Sequence, residues 1–186
     1  MPVLRKTVLG LAAMAIAAAT APVSAAVVTA ASLDFDSAFT AAPGVVGVFG
    51  AYNPATASGS YSGANGKSWS GNFASKQDTG LVTLNLTGLP THSMVSVDFL
   101  LGFLNSWDSA NGTPSPDYLN IFIDGTLVNQ LTTTTASGSV SNYGGGTLLL
   151  DNQQIDTNVF YSDDLVDMAT ASFLTFVHTA STLTIG

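Results

Sequence analysis

The chain has no cysteine, no glutamate, two histidines and only four cations among its 186 residues. Each shortage excludes something. Without cysteine there is no disulfide framework, so the chain must be held by its core, with any help coming from a bound metal. Every one of the 12 acidic residues is Asp. Asp favours turns and caps where Glu favours helix, so the acids point to turns rather than helical faces. Two of the cations, Arg5 and Lys6, stand at the N-terminus, and beyond residue 25 only Lys67 and Lys76 oppose the aspartates. Such a balance argues against nucleic acid, whose phosphates need Lys and Arg, and against anionic membrane surfaces. It suits cations, neutral sugars or basic partners.

Long apolar runs are also missing. The N-terminus, MPVLRKTVLGLAAMAIAAATAPVSAAVVTA, has a short basic region, an apolar run from Val8 to Ala19, and small residues ending in Val23-Ser24-Ala25. The run is shorter than the roughly 20 residues of a membrane span, and the pattern is that of a secretory signal peptide cleaved after Ala25. The expected organisation is therefore a leader over residues 1–25 and one domain over 26–186, secreted or at the cell surface, with no membrane span in the mature chain. About 160 residues suffice for one domain with a sizeable core.

What is present is short apolar segments alternating with turn clusters. Leu81 to Pro90 has period two, with Val82, Leu84 and Leu86 on one side and Thr83, Asn85 and Thr87 on the other. Val95, Val97 and Phe99 continue the pattern, and beyond Leu100 the segment is apolar on both faces, as in a strand between layers. Leu119, Ile121 and Ile123 alternate with Asn120 and Phe122, and Asp124-Gly125 predicts a two-residue hairpin turn. Residues 172–186 supply one or two further strands with a turn near 179–181. Residues 53–72 and 132–147, rich in Gly, Ser, Thr and Asn, are expected to be surface loops anchored by Tyr52, Tyr61, Trp69 and Tyr143. The one helix candidate is SDDLVDMATASF, with Ser162 as cap and Leu165, Met168 and Ala169 inward. The predicted fold is all-β, an antiparallel β-sandwich of jelly-roll kind, with at most one short helix. The chain stops in STLTIG, inside what reads as a strand, as expected of a chain truncated at its C-terminus.

The chemistry concentrates in Asn105 to Asp124. Asp108, Asn111 and Asp117, with backbone carbonyls of the intervening loop, offer the oxygen ligands that Ca2+ takes, although the spacing is not that of an EF-hand. Asp108 and Asp117 are the candidate metal ligands. Trp107 and Tyr118 could stack on sugar rings beside Asn111, which makes Trp107, Asn111 and Tyr118 the candidate ligand-binding set. The plain alternative gives these residues structural work: Trp107 plugs the end of the core, Asp108 makes an Asx-turn, Asp117 caps the following strand, and Asp124 is a turn residue. No catalytic signature appears. GSYSG has Tyr61 where a nucleophile elbow needs serine, and His178 lies in an apolar strand. A glycan hydrolase would need a carboxylate pair among Asp98, Asp108 and Asp117.

Ser106-Trp107-Asp108, Pro116-Asp117-Tyr118 and Asp124-Gly125, with LDFDSAF upstream and the alanine-rich leader, are similar to motifs of exported bacterial proteins of the PEP-CTERM type. That resemblance implies a concanavalin A-like β-sandwich, of which many bind glycans or serve as extracellular modules. The C-terminal Val-Pro-Glu-Pro, membrane helix and basic tail of that group do not follow Gly186. The expectation is a non-catalytic module of the cell surface or biofilm matrix that binds polysaccharide, with or without Ca2+. The alternatives are a secreted hydrolase and a purely structural surface protein.

Overall fold

The computed structural model describes residues 2–12, 27–50, 52–63, 66–75, 80–105, 107, 117–133, 141–155 and 163–186, with residues 2–12 and 53 described by backbone alone. It is an all-β sandwich of antiparallel strands. Alternation of apolar and polar residues gives many of its strands one inward face, and two such faces close on one another.

The smaller sheet has five strands: β4 (Val46–Gly50), β9 (Thr83–Thr87), β11 (Leu119–Ile123), β12 (Thr126–Leu131) and β16 (Thr182–Ile185), in the order β12-β11-β16-β9-β4. β11 and β12 form the hairpin expected from Asp124-Gly125. Both turn residues have positive φ, 48° and 76°, the conformation that makes Asp-Gly the favoured pair there.

The larger sheet is built around β10 (Met94–Phe103), its longest buried strand. β14 (Asp163–Asp167) and β15 (Thr175–Val177) pair along one side of β10, and β13 (Thr147–Gln153) lies beyond β14. Along the other side runs β1 (Pro2–Ala12), followed by β2 (Val27–Leu33) and β3 (Thr40–Ala41). β1 is drawn from the segment read above as a leader, and its backbone pairs with β10 from Pro2 opposite Phe103 to Ala12 opposite Met94.

Residues 53–72, expected as a loop, contain paired strands. β5 (Asn53–Thr56) joins β8 (Asn72–Ser75), which in turn joins β1, while β6 (Tyr61–Ser62) and β7 (Ser68–Trp69) form a separate two-stranded hairpin. Burial outweighs composition here. Trp69 and Phe73 are fully enclosed and pack against Leu100, Leu104, Ile155 and Leu165 on the outer face of the larger sheet. The main core lies between the sheets, where Val95, Val97, Phe99, Leu101 and Phe103 of β10 meet Leu84, Leu86, Ile121, Ile123, Leu183 and Ile185.

The helix predicted over SDDLVDMATASF is corrected by the structure. Residues 163–167 are strand β14, and only two single 3-10 turns follow, Met168–Thr170 and Ser172–Leu174. β14 is buried on both faces and paired on both edges, to β10 and β13, so its backbone is satisfied by the sheet. Asp167 then caps the first turn by accepting the N–H of Ala169 at 3.0 Å. Ser162 lies outside the described residues.

Candidate functional site

Trp107 and the pair Asp117-Tyr118, three of the residues singled out by sequence, stand at one end of the sandwich, between β10 and β11 in the chain. Trp107 follows β10 and is 6% exposed. It belongs to the main core and meets Phe103 edge-on at 4.9 Å. Asp117 stands half-buried just before β11, and its carbonyl accepts the hydroxyl of Thr132 at 2.7 Å. Tyr118 beside it is 42% exposed. Asp108 and Asn111 lie outside the described residues.

Two consecutive acids that sequence reasoning gave to a helix anchor this end. Asp163 accepts the backbone N–H of Asn105 at 2.9 Å and of Ile155 at 2.7 Å. Asp164 accepts the Thr133 hydroxyl at 2.5 Å, the Tyr143 hydroxyl at 2.9 Å and the N–H of Asn152 at 3.0 Å. Buried carboxylates persist only where such donors replace water. These bonds fix the chain where it leaves β10, β12 and β13. The Tyr143 hydroxyl is pushed above its usual value of 10.0, first by burial; hydrogen bonds with Ser141 and Thr133 oppose this, and the Asp164 carboxylate adds to it.

Tyr118 also begins a row that sequence alternation implied without marking as a site. Asn120 and Phe122 share the outer face of β11, since Leu119, Ile121 and Ile123 turn to the core, and the exposed Tyr118 precedes Asn120 by two residues. Asn120 stands opposite Gln130 and accepts its side-chain amide at 2.9 Å, while Leu127 stands opposite Phe122. Across β16 and β9 the same face continues in Thr182, Thr184, Asn85 and Thr87, with Thr184 donating to Asn85 at 3.0 Å. Among these outward residues the charge is confined to Asp124 at the turn. The face thus offers apolar rings beside amides and hydroxyls, and no fixed charge along the strands.

The two histidines are spent on structure. His92 contacts the Pro90 carbonyl through Nδ1 at 2.6 Å and His178 Nδ1 through Nε2 at 2.7 Å, and the rings are stacked. His178, next after β15, places Nε2 3.4 Å from Asp124 Oδ2, a pair that attracts only when the imidazole is protonated. Asp98, one candidate for a hydrolytic carboxylate pair, contacts Lys67 at 2.5 Å. Among the described residues no three His or Asp side chains form a group that could hold a metal ion. No helix there is long and apolar enough to cross a membrane.

No family model, no curated protein and no solved structure matches this chain.

Proposed function

We propose that this chain is a non-catalytic, exported β-sandwich module of the cell surface or extracellular matrix, and that it binds neutral polysaccharide. The site is the outer face of the smaller sheet near Tyr118. The observation that carries the reading is the row Tyr118, Asn120 and Phe122 with Gln130 alongside: an exposed and a half-buried aromatic ring next to amides, on strands that carry no charge. Aromatic rings give a sugar an apolar platform, and amides and hydroxyls meet its hydroxyl groups. The signal-like pattern of residues 1–25, of which residues 2–12 supply β1 here, and the PEP-CTERM-like motifs support the location, and the sandwich is compatible with a jelly-roll or concanavalin A-like relationship. Asp108 and Asp117 remain the proposed ligands for a Ca2+ bound between Trp107 and Tyr118.

A glycan array probed with the full chain, with and without Ca2+, tests this. Binding to neutral glycans that Tyr118→Ala removes, in a variant that still folds, is the expected result. Binding unchanged in Tyr118→Ala, or absent on every glycan, would refute it.

A ligand-free structural module is the second reading, favoured by the burial of Trp107 in the main core. A hydrolase is the third, and its case is weakened where Asp98 is engaged by Lys67.

A further inference from the structure

Lys67 sits just before β7, on the small hairpin that pairs with neither large sheet. Its Nζ lies 2.5 Å from Asp98 Oδ2 and 3.5 Å from Asp167 Oδ1. Asp98 belongs to β10 and Asp167 to the adjacent β14, where Asp167 is paired with Leu100, two residues from Asp98. The two carboxylates therefore project from one face, the face on which Trp69, Leu100, Leu104 and Leu165 form the second apolar cluster. Lys67 and Asp98 are each 26% exposed and Asp167 10%. Asp98 Oδ1 is buried and has no hydrogen-bond partner among the described residues. An ionic carboxylate oxygen left so is costly. An amide carbonyl oxygen in its place is neutral and much cheaper to bury.

We propose that Lys67 and Asp98 join in a covalent amide bond, with Asp167 as the proton carrier. A proton first passes from the Lys67 ammonium to the Asp98 carboxylate, giving an amine and a carboxylic acid in contact. The Lys67 nitrogen then forms a bond to Asp98 Cγ. Asp167 takes the proton released from the nitrogen and returns it to the departing hydroxyl, so the Cγ–Oδ2 bond breaks and one water leaves. One cation and one anion disappear together, the net charge is unchanged, and no oxidant or cofactor enters. Holding amine and acid together supplies the large effective concentration that the condensation needs. Asp167 is oriented for proton transfer because its Oδ1 also accepts the Ala169 N–H at 3.0 Å. The bond would clip the small hairpin to β10, a covalent brace in a chain without cysteine.

Intact-mass spectrometry of the denatured full chain tests this, against the mass calculated for the N-terminus found by sequencing. The expected mass is lower by one water, and digestion yields the peptide holding Lys67 joined to the peptide holding Asp98. Lys67→Arg and Asp167→Asn, checked for folding by circular dichroism, should each restore the full mass. A succinimide at Asp124-Gly125 would also remove one water, but it survives Lys67→Arg and opens with hydroxylamine. Full mass in the folded wild type overturns the proposal, as does a water loss that persists in Lys67→Arg. Where a variant fails to fold, the wild-type mass and the joined peptide decide alone.

Discussion

Replacing Asp164 with alanine removes the acceptor for three donors at once, at a site 1% exposed. A hydrogen bond to a charged group contributes about 1.5–3 kcal/mol, but the three do not add. Thr133 and Tyr143 lie 3.1 Å apart and Thr133 lies 3.2 Å from Ser141, so those hydroxyls can turn to one another. The Asn152 N–H is fixed by the backbone and has no such freedom. Removing the acid also relieves the cost of burying it. The net expectation is a loss of about 3 kcal/mol, which for a chain of this size lowers Tm by roughly 6–12 °C. Asp151 provides the control. It is an exposed neighbour whose carboxylate meets only the side chain of Asn152 among the bonds seen, at 2.7 Å. Asp151→Ala should change stability by less than about 0.5 kcal/mol. Urea unfolding of the full chain and both variants measures the two effects. If Asp164→Ala costs no more than Asp151→Ala, the argument that buried acids organise this end of the sandwich is wrong.

Three further expectations follow from the same geometry. Gly88 has φ of 71°, and an added Cβ would collide with the Gly44 carbonyl oxygen, so Gly88→Ala should cost about 1–3 kcal/mol in urea unfolding. Because Tyr143 has its folded value raised, it contributes stability that is complete below its unfolded value of 10.0 and is lost as pH rises through the higher folded value. Denaturation midpoints should therefore fall above about pH 10, and less steeply in Tyr143→Phe. A chain beginning at residue 26 lacks β1 and opens the edge of β10 along the pairs from Met94 to Phe103; it should unfold more readily than the full chain and regain stability when a peptide of residues 2–12 is added.

The parts of the fold legible in sequence are those set by local rules. Period-two alternation marked β9, β10 and β11 and their inward faces, and Asp124-Gly125 marked the hairpin. The rest depends on partners distant in the chain. Asp163 and Asp164 look like helix-start acids when read alone. They are strand residues because Asn105, Thr133, Tyr143 and Ile155 deliver donors to them. The Gly- and Ser-rich tract forms strands because Trp69 and Phe73 find an apolar face on β10 and β14, which composition does not reveal. Tyr118 was already a candidate in the sequence, and Asn120 and Phe122 were already grouped by alternation. Their link to Gln130 needed the register of β12. The Lys67–Asp98 contact spans 31 residues and has no local signature.

The most direct test of the proposed function is affinity electrophoresis of the full chain through gels containing neutral polysaccharide, with reducing ends assayed in parallel. The account predicts retarded migration, no release of reducing ends, and loss of retardation in Tyr118→Ala while the fold persists. Release of reducing ends would contradict the non-catalytic reading, and migration unchanged by every polysaccharide would leave the sandwich a structural module without this ligand.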